Sequence, residues 1–293
     1  MRALVLSGGA NKGAYQAGVL YHLLYDLGIH YNIICGVSVG ALNGSYLAMH
    51  PKGEENLAAD GLRLLWQNLR TEDVYKRWPL GLLQAIWKPS LYDSSPLRHL
   101  INRKIDPKRI GLSGKRLRVG ATCLDTGEYH VFHQSYEHLV KAVMASCAFP
   151  GAFEPVDIAD SLWVDGGVRD VTPLKAAIDA GATRIDVLNT SPAFSAPFHS
   201  GRARFYQIVF RSVEVMSDEV LANDLSVARG INSLVEVGAG SNFRHVSIHV
   251  LRPDEPLETD LFDFSKVTCR ALWARGYTDS LHQLEQNPGF LTA

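Results

Sequence analysis

The sequence predicts an α/β protein built on parallel strands, and two observations carry that prediction. Near the N-terminus a short apolar run, a glycine-bearing turn and a helical pattern occur twice in succession, and parallel neighbours need crossover connections of that length. Farther along, apolar runs of strand length again alternate with helical patterns.

Taken in order, residues 3–6 form the first short apolar run and end in Ser7-Gly8-Gly9. Over residues 14–27, Val19, Leu20, Leu23, Leu24 and Leu27 recur at helical spacing until Gly28 supplies a stop. The unit then repeats: a strand at 32–35, the turn Gly36-Val37-Ser38-Val39-Gly40, and a helix over 39–49 that ends before Pro51. Residues 117–123 and 129–132 flank Asp125-Thr126-Gly127-Glu128, a hairpin pattern that extends the sheet with an antiparallel strand. A third short strand at 162–164 runs into Asp165-Gly166-Gly167; Thr172-Pro173 then reads as N-cap and first residue of a helix closed by Gly181. A strand follows at 185–188, a helical stretch at 204–235 broken at Gly230, a strand at 246–251 and a helix at 266–284.

Bulk properties bound the function. No Pro/Gly/Ser-rich linker divides the 293 residues, so residues 1–293 are expected to form a single domain. A formal net charge of -1 with both signs scattered gives no electrostatic basis for nucleic-acid binding. Cys35, Cys123, Cys147 and Cys269 lie far apart without zinc-site or redox-pair spacing, and read as core thiols in a reducing compartment. Met1 leads straight into a strand, so no export signal is expected and a cytoplasmic location follows; no apolar run approaches the roughly 20 residues needed to span a bilayer. Repeats and low-complexity tracts are absent from the sequence.

Three turns carry the chemistry. Gly8-Gly9, Ser38 and Asp165 each follow a predicted strand, and in a parallel sheet the loops after strands gather on the edge where open α/β folds bind ligands. Gly-x-Ser-x-Gly between strand and helix has the form of a nucleophile elbow, with Gly36 and Gly40 relieving the crowding of a strained turn; a serine here can also simply cap the next helix. Gly8, Gly9 and Ala10 can bring backbone N–H groups to a developing oxyanion, or can be a tight β–α turn. The segment lacks the spacing and the Lys-Ser/Thr pair of a phosphate-binding loop.

No histidine sits in a distinctive local motif. His199, His245, His249 and His282 follow Asp165, which keeps the order Ser…Asp…His open; the elbow, however, follows only one strand, which disfavours an ordinary α/β-hydrolase. Asp165 is the stronger candidate base, against the common use of Asp-Gly in turns. An unperturbed aspartate, with a pKa of about 3.9, is a poor base for a hydroxyl, so its proton affinity must be raised by desolvation.

With these residues in hand the chain resembles the patatin-like phospholipases, serine acyl hydrolases with a Ser-Asp dyad. The resemblance rests on Ser7-Gly8-Gly9-Ala10-Asn11-Lys12-Gly13, Gly36-Val37-Ser38-Val39-Gly40, Ala145-Ser146-Cys147-Ala148-Phe149-Pro150-Gly151 and Asp165-Gly166-Gly167, with Asp263-Phe264-Ser265 and Gly276-Tyr277 near the C-terminus. It implies a three-layer α/β/α fold with a central, mostly parallel sheet. It also implies Ser38 as nucleophile, Asp165 as proton acceptor, an oxyanion hole from the Gly8–Ala10 backbone, and a lipid or acyl-ester substrate hydrolysed without metal or cofactor. Lys12, Gly13, Gly36, Gly40, Gly166 and Gly167 support the motifs, and Lys12 is not assigned a catalytic role. Ala10 stands where many members have a third glycine, but keeps its N–H. The segment 78–87, with Trp78 and Trp87 bracketed by Lys76, Arg77 and Lys88, reads either as an amphipathic contact with a membrane surface or as core packing or a cover over an acyl tunnel. The basic stretch at 202–211 reads as a solvated helix face. The competing functions are a small-ester or thioester hydrolase and a non-catalytic α/β scaffold; the oligomeric state is left open.

Overall fold

A computed structural model describes residues 1–79, 87–193, 205–239, 243–287 and 290. In chain order the elements are β1 (Arg2–Leu6), α1 (Gly13–Tyr21), β2 (Ile33–Val37), α2 (Val39–Ala48), α3 (Glu55–Asn68), β3 (Lys76–Arg77), β4 (Tyr92–Asp93), α4 (Ser95–Lys104), α5 (Pro107–Leu112), β5 (Arg116–Cys123), β6 (Tyr129–His133), α6 (Leu139–Ser146), β7 (Val156–Ile158), β8 (Ser161–Asp165), α7 (Leu174–Asp179), β9 (Arg184–Leu188), α8 (Phe205–Glu236), β10 (Ser247–Leu251) and α9 (Lys266–Gln286). Much of segment 78–87, part of the basic stretch at 202–211, and His199 lie outside the described residues.

Among the described residues the main sheet has the order β10-β9-β1-β2-β5-β8-β7, with β6 also on β5. The strands from β10 to β5 are mutually parallel, whereas β6 and β8 run against β5 and β7 runs against β8. The pleat sorts β1 into two cores. Leu4 and Leu6 join Ile34 and the side chains of α1, α2, α3, α6 and α9 on one face; Ala3 and Val5 join Ile33, Cys35, Val187 and the inner faces of α7 and α8 on the other. Helices thus cover both faces, as expected for a largely parallel sheet, and the three-layer α/β/α fold follows.

Two close approaches fix α1 against α9. A Cβ on Gly18 would stand 2.0 Å from the Trp273 carbonyl oxygen, and one on Gly276 would stand 2.1 Å from that of Tyr15, so the helices meet backbone to backbone. The Gly276-Tyr277 motif is therefore an architectural feature. No helix among the described residues is long and apolar enough to cross a membrane.

The structure departs from the sequence expectations at three places. α8 runs unbroken through Gly230; a single glycine costs a helix only about 1 kcal/mol, and the helix is long enough to absorb that. Pro173, not Thr172, is the N-cap of α7, because the Thr172 N–H donates to Asp170 Oδ1 at 3.0 Å in a turn of its own. Most consequentially, β8 is antiparallel to its neighbour β5, so Asp165 does not reach the site on a parallel strand.

Candidate active site

Ser38 sits between β2 and α2 with φ 56° and ψ -130°. A non-glycine residue held in so sparsely populated a region stores about 1–3 kcal/mol, which the surrounding packing must maintain. That packing is backbone against backbone. A Cβ on Gly36 would lie 2.3 Å from the Gly40 carbonyl oxygen, and one on Gly40 would lie 2.3 Å from that of Leu6. The turn is thus closed by its two glycines and pressed onto the end of β1. Ser38 makes no side-chain capping bond to α2, so its hydroxyl is not spent on starting the helix.

Asp165 arrives by the opposite direction of travel. β5 pairs with β2 as far as Val37↔Gly120 and with β8 from Ala121↔Asp165 onward. Because β6 occupies the other edge of β5 over Arg118–Thr122, β2 and β8 share one edge and meet end to end. The turn after β2 and the turn after β8 therefore face each other across one residue step of β5. Antiparallel pairing achieves what three parallel neighbours were expected to achieve.

The carboxylate is 1% exposed. Its Oδ1 accepts the Gly167 N–H at 2.8 Å, which is the ordinary turn bond of an Asp-Gly sequence. Its Oδ2 is buried and makes no hydrogen bond. Burial pushes the Asp165 pKa up to about 7, with the nearby Ser38 hydroxyl and the Gly167 amide acting in the opposite sense. The Ser38 hydroxyl is thus close enough to act on the carboxyl without completing a bond of ordinary geometry to Oδ2. One oxygen serves the turn; the other remains available.

The glycine loop borders both groups. A Cβ on Gly8 would lie 3.2 Å from Ser38 Cβ, and one on Gly9, whose φ is 152°, would lie 2.4 Å from Thr190 Oγ1. The Gly8 N–H donates to the Val171 carbonyl at 3.0 Å, and its own carbonyl accepts the Thr190 hydroxyl at 2.8 Å. The Gly8 amide is therefore occupied, which narrows the expected donor set. The N–H groups of Gly9 and Ala10 donate to no acceptor among the described residues. Ala10 itself has φ 50°, so it takes a backbone conformation that favours glycine. Asn11 anchors the loop from behind, its Nδ2 lying 2.9 Å from Thr259 Oγ1 and from the carbonyls of Asp260 and Asp263.

A cavity of about 510 Å³ opens onto Ser38 and Asp165. Its lining is largely apolar, including Leu42, Trp66, Leu69, Leu97, Leu100 and Phe153, and its size lies within the range of about 300–1,000 Å³ typical of small-molecule sites. Lys12, 8% exposed, lines it near the loop. No described histidine lines it; His22 pairs with Ser280, His249 with Ser247 and His282 with Asp254. Among the described residues there is no group of three or more His, Cys, Asp or Glu able to hold a metal ion.

The structure thus brings Gly8, Gly9, Ala10, Lys12, Ser38, Asp165 and Gly167 to one cavity. Gly36, Gly40 and Gly166 lie behind it as packing positions; a Cβ on Gly166 would stand 2.6 Å from the Gly120 carbonyl oxygen. Gly13 also packs, its Cβ position falling 2.2 Å from Val39 Cγ2. Sequence reasoning gave no role to Ser146, whose Oγ accepts the Ser38 N–H at 2.9 Å. Only its place in the Ala145–Gly151 string marked it.

A profile described as patatin-like phospholipase matches residues 4–178. The uncharacterized protein YqhO of Bacillus subtilis is 29% identical over 194 residues, covering 58% of this chain and 64% of YqhO. A cGAMP-activated phospholipase of Pseudomonas aeruginosa is 29% identical over 183 residues, covering 58% of this chain and 53% of that protein. Among solved structures, VipD from Legionella pneumophila aligns with a TM-score of 0.49 at 14% identity, covering 97% of this chain and 67% of that one. The matches to the two curated relatives thus span about half to two thirds of those relatives' length.

Proposed function

The chain belongs to the patatin-like phospholipase family, and on that premise we propose that it is a lipid acyl-ester hydrolase with Ser38 as nucleophile and Asp165 as its general base. The observation that carries this is the facing of the Ser38 elbow and a buried carboxylate with one oxygen unspent, both lining a largely apolar cavity. A carboxyl raised to about 7 is divided between its two forms at neutral pH, which is where a general base is most effective.

In the proposed cycle the ester carbonyl stands between the Ser38 Oγ and the amides of Gly9 and Ala10. As Oγ attacks the carbonyl carbon its proton passes to Asp165 Oδ2, and the negative charge on the carbonyl oxygen falls to the two loop amides. Collapse of the tetrahedral species breaks the ester C–O bond. Asp165 gives its proton to the departing alcohol, leaving an acyl-Ser38 ester. Water then attacks the acyl carbon as Asp165 takes its proton; collapse breaks the acyl C–Oγ bond, Asp165 returns the proton to Ser38 Oγ, and the fatty acid leaves. Leu42, Leu97, Leu100 and Phe153 line the cavity and offer an acyl chain an apolar surface, which supports a lipid substrate over a small ester. Four buried, unpaired cysteines support a cytoplasmic location, and Trp87, 77% exposed, supports peripheral contact with a lipid surface.

The test is fatty-acid release from phospholipid, lysophospholipid and acylglycerol dispersions by purified protein and by its Ser38→Ala form. Release by the first and loss in the second is expected. Equal release by both would overturn the assignment of Ser38, and turnover confined to short water-soluble esters would overturn the lipid substrate.

A further inference from the structure

The string Ala145-Ser146-Cys147-Ala148-Phe149-Pro150-Gly151 carries part of the family resemblance, yet none of its side chains enters the chemistry above. Its contacts give it a separate task. Ser146 ends α6 and is fully buried. It accepts the Ser38 N–H at 2.9 Å and donates its own proton to the Gly120 carbonyl at 2.6 Å. An amide nitrogen only donates, so the hydroxyl proton is directed to Gly120 and the polarity of the bridge is fixed. Next in the chain, the Cys147 thiol donates to the Ser38 carbonyl at 3.2 Å. Burial, and then the nearby Asp165 charge, pushes the thiol's pKa up, so it stays a protonated donor. After it, the Ala148 carbonyl accepts the Asp165 N–H at 3.0 Å.

Three consecutive residues therefore hold the backbone of both members of the dyad. Their anchor is Gly120, the residue at which β5 passes from pairing with β2 to pairing with β8. We propose that residues 146–148 form a cradle that sets the position of Ser38 relative to Asp165, with Ser146 as its positioning residue; the proposal rests on the assignment of these two residues as nucleophile and base. Without the Ser146 hydroxyl, a part-buried N–H and a buried carbonyl lose their common partner. The elbow, held at φ 56°, then relaxes toward other partners and carries Oγ away from Oδ2. A merely structural serine would lower the melting temperature and leave turnover by the folded enzyme unchanged.

The test uses Ser146→Ala and Ser146→Thr, the second retaining the hydroxyl, assayed below their melting temperatures with p-nitrophenyl butyrate and a fluorophosphonate probe. For Ser146→Ala, kcat and the labelling rate are expected to fall about 10- to 100-fold while KM stays within about twofold. Ser146→Thr is expected to recover most of the loss. If Ser146→Ala shows no cooperative melt, Ser146→Cys, nearly isosteric but a weak hydrogen-bonding group, is read in the same way. Wild-type protein that labels on Ser38 while the folded Ser146 variant labels equally fast would overturn the cradle alone. Wild-type protein that neither labels nor turns over would remove the dyad on which the cradle depends.

Discussion

At the scale of single residues, the decisive energetic fact is that Asp165 is buried with one oxygen unpaired. Removing a carboxylate from water without full compensation disfavours its charged form, and the same desolvation that the proposed mechanism needs for Asp165 to act as a base makes it a burden on the fold. Its folded pKa of about 7 lies above the unfolded value, which is about 3.9. Between those values the native state binds more protons than the unfolded state, so this stabilising contribution is present at low pH and is lost as pH rises through about 7. The full effect is on the order of 4 kcal/mol. Asp170, raised by burial to about 6, acts in the same direction and remains in a variant at 165. Asp165→Asn is accordingly expected to melt above the wild type at pH 8. The gap should widen from pH 4 to pH 7 and level off beyond; a gap independent of pH would show that the carboxyl is not desolvated. Ser38 and Asp165 were legible in the sequence because glycines surround both and glycine marks backbone that a side chain would obstruct. The occupied Gly8 amide was not legible, since its partner, the Val171 carbonyl, is distant in the chain.

At the scale of elements, glycines of identical composition do opposite things. Gly276 lies in the crossing of α9 over α1, where a Cβ would fall 2.1 Å from the Tyr15 carbonyl oxygen. Gly230 lies in α8 with nothing within 4 Å of its Cβ position. Gly276→Ala should destabilise the protein by about 1–3 kcal/mol through overpacking, while Gly230→Ala should stabilise it by up to about 1 kcal/mol through helix propensity. Urea unfolding of the two variants checks both signs, and a neutral Gly276→Ala would contradict the close crossing. The helical pattern alone pointed the wrong way at Gly230, read as a break, and Gly276 stood out only through the family resemblance; its reason, the approach of the neighbouring helix, is visible only in the fold. The same limit explains β8. Apolar patterning revealed a strand ending at Asp165, but strand direction is set by the connection through α6 and β7, which carried no turn signal strong enough to read.

At the scale of the whole molecule, the layers place the chemistry. Helices on both faces leave the strand ends as the exposed edge of the sheet, and the turns after β1 and β2 open there, as the parallel pattern required. The third turn comes from a strand meeting β2 end to end, so the convergence of Gly9, Ser38 and Asp165 was right in place and different in route. The apolar cavity was not legible at all, because Leu42, Trp66, Leu97 and Phe153 come from separate segments whose patterns specify burial and not what they surround.

The most direct test of the Ser38–Asp165 pairing is covalent labelling by a fluorophosphonate probe, mapped by tandem mass spectrometry and followed across pH. A single adduct on Ser38 is predicted, forming at a rate that rises with pH through about 7 and that is slow at every pH in Asp165→Asn. An adduct on another residue, or an Asp165→Asn form that labels as fast as the wild type, would contradict the account.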